Sequence, residues 1–361
     1  MLATPKRGAS AKRPSGTHRA TVPTHSEAIP TRAELPIPAG RRAGSQLLQR
    51  MKKIALLFSG QGAQTVGMGR ELAAAFPEAH DLFAKADDVI GRKLTDITWN
   101  GPFDELTKTS NCQPALYVHG LACLAALRAA AGEFSILSAA GLSLGEWTAH
   151  AAAGTFDFAT GLKLVERRGS YMETACEATA GGMAAMIGAD ESAVRALAAD
   201  TDVDVANLNA PGQIVISGEA AKVELAVTLA REHGIRRATL LNVAGAYHSR
   251  LMNNAFASMG EALLEAELQG PRFPVISNVT GLPADTLPEI RRTLQDQITA
   301  TVRWTDCMEW LLNHGCELFI ELGPGGVLAG LLQRTRKGAD VISVSDPASV
   351  EQCAEKIRGA A

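Results

Sequence analysis

Paired cysteines, long apolar runs and an excess of either charge are all missing from this chain. The six cysteines, Cys112, Cys123, Cys176, Cys307, Cys316 and Cys353, never occur as CxxC, and no Cys/His cluster has metal-ligand spacing. A disulfide framework and a zinc site are thereby excluded, and the thiols read as the reduced cysteines of a cytosolic protein. No uninterrupted apolar run approaches the ~18 residues of a membrane-spanning helix. Lys plus Arg number 35 against 38 Asp plus Glu, a formal net charge of -3, so nothing global points to nucleic acid or a membrane surface. No internal repeat or heptad pattern is present. What remains is ordinary globular composition, with 46% hydrophobic and 20% charged residues. Its 361 residues suffice for one large domain or two smaller ones, with a core that needs no disulfide or metal staples.

Residues 1–50 differ from the rest. They carry Lys6, Arg7, Lys12, Arg13, Arg19, Arg32, Arg41, Arg42 and Arg50 against Glu27 and Glu34, among many Ser, Thr, Pro and Gly. Such a segment buries too little apolar surface to offset its ordering entropy, and a disordered basic extension is expected. An organelle-targeting peptide has a similar Arg-rich, acid-poor composition. Met51-Lys52-Lys53 leads directly into the first strand, so a start at Met51 is a further reading.

Beyond Met51 the pattern is that of alternating strands and helices. Ile54–Phe58 is a short continuous apolar run, as a buried parallel strand requires, and Ile136–Ala140 is a second buried-strand candidate. Asn111–Leu127 has helical periodicity with Pro114 near its start. A middle section reads βαββαβ: Met183–Ile187, Glu191–Ala199, Val203–Asn207, Gln213–Ser217, Ala220–Glu232 closed by His233-Gly234, and Ala238–Val243. That order is ferredoxin-like and predicts a small inserted domain over 178–244. Val275–Ser277 (strand), Trp304–Asn313 (helix) and Leu318–Leu322 (strand) complete the larger unit, 51–177 with 245–361.

Gly141-Leu142-Ser143-Leu144-Gly145 matches G-x-S-x-G between a strand and a helix. There the glycines let the chain turn sharply, so that the serine hydroxyl projects at the strand's carboxyl end, toward the amides of the next helix. A serine nucleophile needs a base. His18 and His25 lie in the basic segment, His80 and His119 in helical stretches. His233 and His314 precede glycines at helix ends, where an imidazole suits the dipole without catalytic work. His150, seven residues after Ser143 on the same helix, points away. His248 remains, in the loop Ala244–Ser249 after a strand, where α/β sheets place functional groups.

Several separated motifs resemble those of the malonyl-CoA:acyl-carrier-protein transacylases of fatty-acid synthesis, from about Lys53 to about Asp346. They are Gly60-Gln61-Gly62-Ala63-Gln64, Ser143-Leu144-Gly145-Glu146, Glu166-Arg167-Arg168-Gly169, Asn209-Ala210-Pro211-Gly212-Gln213 with Ile216-Ser217-Gly218, and Gly245-Ala246-Tyr247-His248-Ser249. Gln297, seven residues before Trp304, and Glu321-Leu322-Gly323-Pro324-Gly325 complete the set. The resemblance implies an α/β-hydrolase-like large domain with a parallel sheet, the ferredoxin-like insert, and a cleft between them. It implies transfer of malonyl from coenzyme A to the phosphopantetheine thiol of holo acyl carrier protein, through an ester on Ser143. His248 would be the base, oriented by the main-chain carbonyl of Gln297. The amides of Gln61 and Leu144 would form the oxyanion hole. Arg168 would grip the malonyl carboxylate, although taken alone it reads as a solvated helix residue, with Arg167 as the competing candidate. The Tyr247 ring would crowd branched acyl groups. No metal or redox cofactor is implied, and a cytoplasmic monomer is expected. Rival readings are a serine thioesterase, which calls for an acidic third member, and a non-catalytic scaffold. Two positions depart from the family pattern: Leu142 stands where a histidine is usual, and Ser59 where proline is usual.

Overall fold

The computed structural model describes residues 52–359; the expectation for 1–50 lies outside them. Four parallel strands form the main sheet in the order β2-β1-β7-β8. They are β1 (Ile54–Phe58), β2 (Ile136–Gly141), β7 (Leu318–Leu322) and β8 (Val341–Val344). Every residue of β1 and β7 is buried, so β1 reads as an unbroken apolar run rather than an alternating one. Strand β7 carries one buried carboxylate, Glu321, which accepts from Leu328 N at 2.9 Å and Ala329 N at 3.1 Å. Helices cover both faces. The longest, Thr109–Ala131, is by length and mean hydropathy sufficient to cross a membrane, contrary to the expectation from uninterrupted runs. In this fold it is a core helix, buried from Asn111 through Leu124. Pro114 sits inside its second turn. The carbonyl it leaves without an amide, on Ser110, accepts instead from Arg92 Nη2 at 3.0 Å.

The second sheet is antiparallel, in the order β4-β5-β3-β6. It contains β3 (Gly181–Ile187), β4 (Asp204–Ala210), β5 (Gln213–Glu219) and β6 (Arg237–Leu240). Helices Glu191–Asp200 and Ala220–Leu229 join them, and Val194, Leu197, Ile214, Ile216, Val223 and Ala226 form a separate apolar core on one face. Chain 301–305 laces β4 to the main body: Leu208 N donates to Val302 O at 2.9 Å and Val302 N to Ala206 O at 2.8 Å.

Most elements differ from the sequence reading by only a few residues at their ends, such as β3 and β4, and three departures have a clear local cause. Val275–Ser277 is no strand; it makes isolated bridges only, parallel to Ala139 and antiparallel to Pro283. Pro274 has no amide to extend the pairing, and Ser277 already closes a turn through Gly281 N and Leu282 O. Strand β6 ends at Leu240 rather than Val243, because the chain turns back at Val243 N→Leu241 O and leaves the sheet. Regular helix after Ala220 stops at Leu229. Gly234, at φ 76°, then closes the end with Ile235 N→Ala230 O and Gly234 N→Arg231 O.

Candidate active site

Ser143 stands at the turn between β2 and helix Leu144–Ala153, with φ 53° and ψ −105°, a strained backbone for a residue with a Cβ. Such strain costs about 1–3 kcal/mol and persists only where the surroundings over-determine it. The glycines on either side are sterically required. A Cβ on Gly141 would lie 1.9 Å from the Gly145 carbonyl carbon, and one on Gly145 would lie 2.0 Å from Phe58 O. The elbow therefore packs backbone on backbone against β1, which sets the serine at the end of the sheet.

Ser143 Oγ is 2.8 Å from His248 Nε2, and His248 Nδ1 is 2.8 Å from the carbonyl oxygen of Gln297. Since a carbonyl only accepts, Nδ1 carries the proton and Nε2 is free to accept from the serine. Burial, with the nearby Arg168 charge, pushes the imidazole down to about 4, against a smaller opposing pull from the Gln297 carbonyl. His248 is thus neutral across the physiological range.

Arg168, on helix Phe158–Glu177, is fully buried. Its Nη1 donates to Gln113 Oε1 at 2.7 Å, and its Nη2 to Ser143 Oγ at 3.0 Å and Gln297 Oε1 at 2.9 Å. All three partners are neutral, and Nε has no acceptor among the described residues. Burial pulls its guanidinium down to about 10, with Glu146 and Tyr247 opposing, so it stays charged at neutral pH. Arg167, one residue earlier, is exposed and pairs with Glu265 at 3.1 Å, so of the two arginines only Arg168 is brought to Ser143.

A cavity of about 420 Å³ opens over Ser143 and His248, and Arg168 is not among the residues that line it. Gln61, Leu142, Ser143, Tyr247 and His248 line it, with Asn207, Leu241 and Val243 from the second sheet and its exit. Tyr247 OH is 2.6 Å from Thr109 Oγ1 and accepts from Gln61 Nε2 at 3.4 Å. Among the described residues, no acceptor faces the backbone amides of Gln61 or Leu144. Ser59 is buried with its Oγ unpartnered among the described residues. The remaining histidines lie elsewhere: His119 is packed in the core, and His150 is buried, 2.9 Å from Thr155 Oγ1.

A profile described as the acyl transferase domain matches residues 55–354. The chain belongs to this acyl transferase family. The malonyl CoA-acyl carrier protein transacylase of Bacillus subtilis (strain 168) is 39% identical over 315 residues, which span 85% of this chain and 98% of the relative. Among solved structures, an acyl-carrier-protein-S-malonyltransferase from Bartonella henselae is similar at TM-score 0.82 and 37% identity, over 85% of this chain and 99% of that one. A malonyl-transacylase in complex with its type II PKS acyl-carrier protein is similar at TM-score 0.80 and 36% identity, over 84% of this chain and 99% of the other.

The acyl transferase site also holds groups that the motif reading gave no role. Gln113 lies in an apolar helix with nothing local to distinguish it. Glu146 is fully buried near Ser143, its carboxyl pushed up to about 7 by desolvation against hydrogen bonds from Asn278, Gln297 and Ser277 and the Arg168 charge. Asn278 follows Val275–Ser277, and a polar residue after an apolar stretch was the available signal. Gln297, expected to act through its carbonyl, also uses its side chain. Its Nε2 donates to Ser143 O at 2.9 Å, and its Oε1 accepts from Trp147 Nε1 at 3.0 Å as well as from Arg168.

Proposed function

We propose that this acyl transferase carries malonyl from coenzyme A to the phosphopantetheine thiol of holo acyl carrier protein in fatty-acid biosynthesis, by way of a malonyl-Ser143 ester. The observation that carries the reading is the Arg168 guanidinium: fully buried, 3.0 Å from the Ser143 hydroxyl, and bonded only to neutral groups. An isolated buried cation is costly. Glu146 lies near enough to favour the charge but makes no hydrogen bond to the guanidinium. A substrate that brings its own carboxylate therefore supplies a directly bonded partner, and a guanidinium fork suits that carboxylate better than any other side chain. Relatives named for malonyl transfer to acyl carrier protein point the same way.

In this reading His248 takes the Ser143 proton as Oγ attacks the thioester carbonyl. The amides of Gln61 and Leu144 stabilise the resulting oxyanion. Collapse forms the ester and expels the coenzyme A thiolate, which takes the proton from His248. The carrier-protein thiol then gives its proton to His248 and attacks the ester, and Ser143 leaves with that proton returned. The Gln297 carbonyl holds the imidazole in the tautomer each step needs, so no acidic third member is called for, unlike in a thioesterase triad. Tyr247, lining the cavity, is the filter against a branch at the malonyl α-carbon.

The β3–β6 unit, with strands in the order second, third, first, fourth and a helix in each crossover, supports a ferredoxin-like insert over 178–244 within an α/β-hydrolase-like body of 51–177 and 245–361. The deciding experiment is intact-mass measurement after mixing with malonyl-CoA. A stable malonyl adduct that maps to Ser143 and discharges onto holo acyl carrier protein is the expected result. Free malonate without carrier-protein acylation would make the protein a hydrolase.

A further inference from the structure

The strained backbone of Ser143 is held from both sides by side chains distant in sequence. The amide N–H of Ser143 donates to Asn278 Oδ1 at 2.7 Å, and its carbonyl accepts from Gln297 Nε2 at 2.9 Å. Asn278 reaches further round the elbow, donating from Nδ2 to Gly141 O at 2.9 Å. Its own main chain is fixed twice: its N–H donates to Glu146 Oε2 at 3.0 Å, and its carbonyl accepts from Arg303 N at 2.8 Å. Glu146 Oε2 also accepts from Gln297 Nε2, so a single buried oxygen joins the two clamps. Asn278, Glu146 and Gln297 are all fully buried.

We propose that Asn278, pinned by Glu146, is a positioning residue that holds the Ser143 backbone in its strained turn and so aims the hydroxyl at His248. Only an amide fits this place. Its oxygen meets an N–H and its NH₂ meets a carbonyl, whereas aspartate would set a second acceptor against Gly141 O beside the Glu146 carboxylate. Glutamine would overshoot by one methylene. Because Asn278 touches the serine's peptide and not the cavity, its loss acts on the rate of attack rather than on substrate affinity.

The inference rests on Ser143 as the nucleophile. Its test therefore uses a fluorophosphonate, which phosphonylates an activated serine with loss of fluoride and needs neither malonyl nor Arg168. Asn278→Ala should label about 100-fold more slowly than wild type, the scale expected when a reacting atom is displaced by an ångström. The final stoichiometry should still reach one label per folded chain, and the KM for malonyl-CoA should stay within about threefold while kcat falls. Glu146→Gln keeps the shape and one acceptor, and should slow labelling by about tenfold. Wild-type labelling rates in either variant would overturn the proposal. So would a reduced final stoichiometry with a wild-type rate in the labelled fraction, because that marks a purely structural residue. Should Asn278→Ala fail to fold, Glu146→Gln decides alone. A wild-type protein that resists labelling would instead remove Ser143 as the nucleophile, and this inference falls with it.

Discussion

The two sheets use burial in opposite ways. At the carboxyl end of the parallel sheet the protein buries polar groups around a half-buried Ser143: Glu146, Arg168, His248, Asn278 and Gln297 join it and one another through short hydrogen bonds. The antiparallel sheet buries Ala184, Met186, Leu197, Ile214, Ile216 and Val223, and leaves Leu240 half exposed on its edge strand. Buried polar groups cost free energy unless each finds its partner, so the first region gains geometry at the expense of stability. The second gains stability and offers only its cavity-facing residues, such as Asn207 and Val215, to the site. Substitutions in the first region should therefore alter chemistry, and substitutions in the second should alter folding.

The sharpest way to break that contrast is at the nucleophile. Ser143→Ala should abolish the malonyl adduct and the transfer while the melting temperature stays near wild type. Residual transfer close to the wild-type rate, read by carrier-protein acylation, would end the claim.

Next in size is Arg168→Ala. Stranding a carboxylate in the cavity without its partner costs about 3–5 kcal/mol, roughly a few hundred- to a few thousand-fold in malonyl loading. Acetyl loading should hold or rise, since acetyl brings no charge. Lysine at 168 should restore part of the loss, a point charge without the fork. Loading rates with malonyl-CoA and acetyl-CoA side by side are the measurement. Equal losses for both acyl groups would make the arginine structural.

The second region is tested by Ile216→Ala, which empties a fully buried position in the antiparallel core. It should cost about 2–5 kcal/mol of unfolding free energy. Activity per folded molecule should be nearly unchanged. A denaturant titration beside an active-site titre checks both, and a large loss of turnover per titrated site would show that the two regions are not separable.

The smallest effect is in the pH profile. His248 must be neutral to accept the serine proton, and burial first, then Arg168, holds it down at about 4. Protonation of Glu146 near 7 should slow the reaction by no more than Glu146→Gln does, and the steep loss that belongs to His248 should come only toward about 4, well below the ordinary imidazole range near 6.5. Removing the Arg168 charge should move that acid limb upward, since one of the two depressing causes is gone. Fluorophosphonate labelling of wild type and Arg168→Ala between pH 4 and 8 reads the shift. An acid limb near 6.5 that persists in Glu146→Gln, where the carboxyl held near 7 is gone, would contradict the buried, neutral histidine.

Much of this was legible in the chain itself. A continuous apolar run marked β1 to the residue, because a strand buried on both faces leaves no polar positions to blur its ends, and the bounds of β7 were also read correctly despite the buried Glu321 within it. Gly141 and Gly145 marked the elbow, because backbone contacts of 2 Å leave no room for a Cβ. Helix Trp304–Asn313 was equally clear, bounded by its periodicity and by His314-Gly315. Local patterning also exposed His248, since loops that follow strands are where functional side chains collect.

The tertiary structure alone decided the rest. Arg167 and Arg168 are neighbours of identical chemistry, and only the packing of helix Phe158–Glu177 sends one to Glu265 at the surface and the other to Ser143 in the core. Asn278 lies 135 positions from Ser143 and Gln297 lies 151 from Glu146, separations over which no periodicity carries information. Their partnership depends on hydrogen-bond directions fixed when 274–278 comes to rest beside β2. Sequence pattern records which face of an element is buried; it does not record which buried polar atom another will meet.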